Sequence, residues 1–124
     1  MADSDDHELA HRLATEAGAM LVDLRCQLTE EGATPAGLKA AGDRSAHLML
    51  MEALAEARPD DAVLSEEGRD NLGRLDADRV WIIDPLDGTR EYGLAGRDDW
   101  AVHVALWARG HGIAAAAVAQ PSLG

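Results

Sequence analysis

Val80-Trp81-Ile82-Ile83-Asp84-Pro85-Leu86-Asp87-Gly88-Thr89 is a β-branched and aromatic run that leads directly into a proline, a second acid and a glycine. Val80 to Asp84 reads as a buried strand ended by the proline. Pro85 fixes its own φ and holds Asp84 extended, so Asp84 and Asp87 converge across a tight turn. Two carboxylates held close repel each other unless a cation lies between them. With hard oxygens and no His or Cys nearby in the sequence, that cation is Mg²⁺ or Mn²⁺ rather than zinc. The Leu86 carbonyl adds a neutral oxygen, and Gly88 lets the backbone approach an anion. Thr89-Arg90-Glu91-Tyr92 then starts a short helix whose free N–H groups attract phosphate. The same residues also read as an ordinary turn and helix cap, so the weight of the metal reading rests on what surrounds them.

Upstream, Ala62-Val63-Leu64-Ser65 is a short apolar run that ends at Glu66-Glu67. If it pairs beside Val80–Asp84, all these carboxylates meet at one sheet edge. Alone, Glu66-Glu67 reads as solvated surface. Downstream, Trp100 to Trp107 (WAVHVALW), the turn residues ARGHG and the run IAAAAVAQP form a hairpin by their turn chemistry. Two helices precede the strands. Leu9, Leu13, Ala17, Met20, Leu21, Leu24 and Leu28 recur at spacings of three and four, predicting a helix from Asp5 to about Leu28. TEEGATPAGLKAAGD reads as a loop. A second helix is expected from near Asp43, its N-cap, to Arg58-Pro59, with Ala46, Leu50, Leu54 and Ala57 on one face. The fold class is α+β: two N-terminal helices packed on an antiparallel-type sheet. With no closing helix, the chain reads as cut short, leaving an unpaired edge and exposed apolar surface.

With 124 residues, 47% hydrophobic and 27% charged, the chain is one domain or part of one, with enough apolar surface for a packed core. Its 23 acidic against 11 basic residues, a formal charge of −12, argue against nucleic acid and against an anionic membrane. The lone Cys26 forms no internal disulfide, which fits a reducing cytoplasm, and reads as packing. No run of about 18 apolar residues occurs, and the acidic N-terminus is unlike a signal peptide. His103 reads as a satisfied, semi-buried imidazole, and Trp100 and Trp107 as core.

The ordered pattern Asp43, Glu66-Glu67, Asp84-Pro85-Leu86-Asp87-Gly88-Thr89 resembles the metal-dependent, lithium-sensitive phosphatase superfamily of inositol monophosphatase, fructose-1,6-bisphosphatase and the 3′(2′),5′-bisphosphate nucleotidases. Arg90-Glu91-Tyr92 after the glycine and threonine is similar to the bisphosphate nucleotidase (CysQ-type) branch; inositol monophosphatases more often carry Asn-Phe there. The resemblance implies the first layer of a layered αβαβα sugar-phosphatase fold, residues 1–124 being its N-terminal α+β portion. It implies two or three Mg²⁺ ions, which Mn²⁺ can replace: Glu66 and the Leu86 carbonyl on the first, Asp84 bridging, Asp87 on the second. Gly88 and Thr89 would face the substrate phosphate, so Glu66, Leu86, Asp87, Gly88 and Thr89 line the substrate. A water aligned by Thr89 and Asp43, with Glu67 assisting, would attack phosphorus in line. The implied reaction is hydrolysis of 3′-phosphoadenosine 5′-phosphate to AMP and phosphate, which clears a by-product of sulfate assimilation. An inositol monophosphatase-like activity and a catalytically incomplete fragment are the alternatives. A small-molecule phosphate ester is the expected partner, and a homodimer is compatible with the family.

Two departures stand out. Ala40 occupies the place of a threonine common in the family three residues before Asp43. The later half, with a further Asp in a Trp-x-Asp-like motif, is absent. One competing motif is His7-Glu8-Leu9-Ala10-His11, a literal match to the zinc-protease pattern H-E-x-x-H. Its histidines lie about 200° from the apolar stripe through Leu9 and Leu13 and face solvent, and Ala14 and Ala17 stand where Gly and a third ligand His would be.

Overall fold

The computed structural model describes residues 4–65, 77–94 and 99–120. Helix α1 (Ser4–Glu30) has the predicted stripe, burying Leu9, Leu13, Ala17 and Leu21, with Ala10 and Ala14 beside them. Helix α2 (Pro35–Ala57) begins well before Asp43, so the loop expected over this stretch shrinks to a short connector. Its start follows from local chemistry. Thr34 is extended and accepts a hydrogen bond from the Gly37 amide at 3.1 Å, and Pro35 occupies the first turn, where its missing N–H costs nothing. Asp43 is therefore a mid-helix residue and not an N-cap. Ala46, Leu50 and Leu54 point into the core as expected, joined by Leu38.

Four strands follow: β1 (Ala62–Ser65), β2 (Arg79–Asp87), β3 (Ala101–Ala108) and β4 (Gly112–Ala119), with the short helix α3 (Thr89–Tyr92) between β2 and β3. They form one sheet in the order β1-β2-β3-β4. β2, β3 and β4 are antiparallel, whereas β1 runs parallel to β2, so the expected antiparallel-type sheet is a mixed one. In the parallel pair both strands begin at the same edge, Ala62 lying beside Val80 and Ser65 beside Ile83. Both helices pack on one face, α1 against β3 and β4 and α2 against β1 and β2.

Alternation along the strands separates the two faces. Val102, Val104 and Leu106 are buried under the helices with Trp81 and Ile83, while His103, Ala105 and Trp107 point to the other face. Trp107 is only half-buried there, unlike Trp100, which is buried as expected. Ile113 and Val118 of β4 are 57% and 60% exposed, which is the apolar surface anticipated from the sequence. Cys26 is exposed rather than packed, because it falls off the apolar stripe of α1.

Candidate active site

β2 does not stop at Pro85. The strand continues to Asp87 by way of a register shift: Asp84 pairs with His103, and Asp87 pairs with Ala101. β2 thus advances three residues while β3 advances two, leaving one extra residue in the bulge. The consequence is chemical. In a regular strand Asp84 and Asp87 would point to opposite faces; the extra residue returns Asp87 to the side of Asp84. Proline fits here because it has no N–H to give to a ladder. Oxygens of Asp84 and Asp87 and a ring nitrogen of His103 all lie within 4.8 Å of one another. The convergence of the two acids agrees with the sequence reading, but a histidine joins them. The imidazole was not expected beside these oxygens.

Past the bulge, Gly88 takes a left-handed φ of 85°, and a Cβ there would lie 2.7 Å from the Asp99 carbonyl oxygen. Only glycine meets both conditions. The chain then turns into α3, and the Thr89 hydroxyl comes within 3.0 Å of both Asp43 Oδ1 and the Leu86 carbonyl oxygen. Asp43 reaches it because α2 comes very close at the preceding residue: a Cβ on Gly42 would stand 2.6 Å from the Tyr92 ring. Tyr92 is itself fixed, donating to the Leu21 carbonyl at 2.7 Å and standing edge-on to Trp100 with ring centroids 5.0 Å apart. Burial pushes its phenol up to about 12, so it stays protonated and acts as a strut. A small cavity of about 100 Å³, lined by Asp87, Gly88, Trp100 and Gln120, opens beside the turn.

Residues 4–124 match the inositol monophosphatase family. The chain belongs to that family. It is 50% identical to the 3′-phosphoadenosine 5′-phosphate phosphatase of Mycobacterium leprae, over 99% of this chain and 48% of that protein. It is 52% identical to the protein of the same name from Mycobacterium bovis, over 88% of this chain and 42% of that protein. The chain thus spans about half the length of the curated relatives it matches. Among solved structures, the extragenic suppressor protein SuhB of Bartonella henselae superposes with a TM-score of 0.77 at 30% identity, over 95% of this chain and 44% of that one. Inositol monophosphatase II of Staphylococcus aureus shares the fold, with a TM-score of 0.83 at 23% identity over 98% of this chain and 44% of that one.

The inositol monophosphatase family is metal-dependent, and in this member Asp84, Asp87 and His103 form the group able to hold a cation among the described residues. The two carboxylates fit a hard divalent ion, since they supply charge and oxygen lone pairs at one point, with His103 beside them. Glu66 and Glu67 lie outside the described residues. Ser65, the residue before them, is buried and meets His47 Nδ1 at 2.9 Å, a contact that ties α2 to the end of β1. The sequence reading missed this pair, although His47 lies one helical turn beyond Asp43 on α2. It also assigned no chemistry to His103, although that residue is out of phase with the apolar residues of β3. His7 and His11 are both exposed, as predicted, and neither belongs to a metal-capable group among the described residues.

Burial raises the pKa of Asp43, against the lowering effects of the Thr89 hydrogen bond and the nearby Lys39. A carboxyl whose folded pKa is raised contributes stability that is complete below its unfolded pKa and is lost as pH rises through the folded one. At pH 7, then, the charge on Asp43 is a net cost to the fold. Asn has the same shape and still accepts from Thr89. Asp43→Asn is expected to raise the melting temperature by about one or two degrees at pH 7, in keeping with a half-exposed site, and by nothing near pH 3. Calorimetry at the two pH values checks this; a fall at pH 7 would show that the charged hydrogen bond outweighs burial.

Proposed function

We propose that this chain is the N-terminal α+β portion of a cytoplasmic, Mg²⁺-dependent phosphomonoesterase of the 3′(2′),5′-bisphosphate nucleotidase type. Its reaction would convert 3′-phosphoadenosine 5′-phosphate to AMP and phosphate. What supports this reading is the convergence of Asp84 and Asp87 across the bulge, followed two residues later by Thr89 bonded to Asp43, in a chain about half identical to proteins named for that substrate. With a net charge of −12, the chain is expected to engage neither nucleic acid nor an anionic membrane. No described helix is long and apolar enough to cross a membrane.

Asp84 and Asp87 would hold the cation, with the Leu86 carbonyl and Glu66 adding oxygens. When bound, the cation supplies positive charge for the phosphoryl oxygens and lowers the pKa of water. Thr89 Oγ1, bonded to Asp43 Oδ1, would orient the attacking water and pass its proton to the Asp43 carboxylate, and Glu67 is the residue expected to assist. The raised pKa of Asp43 suits it to hold that proton, because a base nearer the working pH is a better acceptor. Gly88 and Thr89 would present their amides to the phosphate, beside the small cavity. The open sheet face bearing Trp107, Ile113 and Val118 is the surface on which the later half of the family fold would pack.

The test is release of inorganic phosphate from 3′-phosphoadenosine 5′-phosphate and, in parallel, from inositol 1-phosphate. Each is measured with Mg²⁺, with Mg²⁺ and Li⁺, and with a chelator. Preference for the nucleotide, abolished by the chelator, is expected. Faster release from inositol 1-phosphate would reassign the substrate. Release that survives chelation would overturn the metal-dependent mechanism. No release from either would identify a catalytically incomplete piece.

A further inference from the structure

The carboxylate of Asp87 is the exposed member of the candidate cation site, at 61%, and the sequence alone gives it nothing to hold it in place. Its hydrogen-bond partner among the described residues is His103 Nε2, 3.0 Å from Oδ2. His103 is itself fixed by the sheet: it pairs with Asp84 across the antiparallel β2–β3 ladder, two positions along β3 from Ala101, which pairs with Asp87. Residues that pair in this way share a face, so the register that sets Asp84 also sets the imidazole. The bulge alone brings Asp87 to the correct side but leaves its χ angles free, and an exposed aspartate samples several rotamers. A carboxylate with two oxygens can give one to a donor and keep the other for a cation.

We propose that His103 is a positioning residue for Asp87: with its proton on Nε2, the imidazole donates to Asp87 Oδ2 and turns the remaining oxygen toward Asp84. The cation site is then set from two strands, with β2 supplying both acids and β3 the group that aims one of them. This rests on the reading of Asp84 and Asp87 as cation ligands. His103 is 39% exposed, so the bond competes with water. It acts by narrowing the rotamers of Asp87, and its effect belongs to metal affinity rather than to the stability of the metal-free fold.

The experiment is Mn²⁺ binding to the whole chain, followed by electron paramagnetic resonance, in wild type, His103→Leu and His103→Gln. Leucine removes the donor, whereas glutamine keeps an N–H of similar reach. His103→Leu is expected to weaken Mn²⁺ binding about tenfold or more, the loss typical when a group supporting a metal ligand is removed, and His103→Gln, which keeps a donor, by clearly less. The metal-free melting temperature should be the same in all three. His103→Leu binding as tightly as wild type overturns the proposal while leaving the cation site intact. Wild type binding no Mn²⁺ overturns the cation site and the proposal together. Should the leucine variant not fold, nitrogen-15 shifts of the wild-type imidazole with Mg²⁺ bound decide the matter. A proton retained on Nε2 supports positioning, and a bare Nε2 shifted by Mg²⁺ makes His103 a ligand and overturns it.

Discussion

Asp84→Asn is expected to lower phosphate release from 3′-phosphoadenosine 5′-phosphate by about a thousandfold or more, since a metal ligand's charge is worth several kcal/mol in the transition state and each 1.36 kcal/mol is tenfold. Asp84 is the acid fixed by the regular part of the ladder, in register with His103, just before the bulge. An amide at this position keeps the shape but removes one of the two negative charges the cation would need. Stability should move the other way or not at all. Two carboxylates whose oxygens lie within 4.8 Å repel each other without a cation, and neutralising one relieves that repulsion. The signature is therefore threefold: activity lost, metal-free melting temperature unchanged or raised, and the melting temperature no longer responsive to added Mg²⁺. Thermal shift with and without Mg²⁺, beside the phosphate assay, reads all three. Loss of activity below tenfold would remove Asp84 from the reaction, and a lower metal-free melting temperature would make its role structural.

The parts of this molecule that could be read from sequence are those whose cause is local. The α1 stripe is visible because Leu9, Leu13, Ala17 and Leu21 bury one continuous face, although Cys26, read from the sequence as packing, lies off that face and is exposed. The start of α2 was locally encoded too, in Thr34-Pro35, but Gly37 and Gly42 read as breakers. Gly42 is in the helix because Tyr92 and Leu86 occupy the space a side chain would need, a reason that lies 44 and 50 residues further along. Asp84 and Asp87 were legible as a pair from their spacing around Pro85. His103 was not, since only the register of β2 against β3 brings it to them. The parallel partner of β2 was likewise hidden, because strand direction depends on the path between Ser65 and Arg79 and not on the residues of either strand.

Asp6 is the case in which sequence gives least and the structure most. It carries a charge yet its side chain is only 3% exposed, and its Oδ1 accepts from Arg58 Nε at 3.1 Å and Arg79 Nη2 at 2.8 Å, partners 52 and 73 residues away. Arg79 Nε continues to both oxygens of Asp61 at 3.1 Å, and Asp61 also accepts from Trp81 Nε1 at 2.9 Å. The cluster joins the first turn of α1, the end of α2 and the start of β2. Its position at that turn also places negative charge at a helix N-terminus. The hydrogen bond that Arg79 donates to Asp6 is the main reason its guanidinium holds its proton more tightly than usual. Removing the acid leaves, among the described residues of the cluster, two half-buried guanidiniums for the single carboxylate of Asp61. Asp6→Ala is therefore expected to cost roughly 3–5 kcal/mol, a fall on the order of 10–20 °C in melting temperature for a chain of this size. Asp6→Asn, which keeps an acceptor oxygen without the charge, should fall between. The cluster lies at the edge where β1 and β2 begin, whereas Ser65 and Asp84 mark the opposite edge. Wherever the variant remains folded, Mn²⁺ affinity should equal that of wild type. Urea unfolding together with Mn²⁺ titration separates the two effects. A loss under about 1 kcal/mol would mean that water screens the cluster as it does an exposed ion pair, and weakened Mn²⁺ binding in the folded variant would show that the two edges of the sheet are coupled.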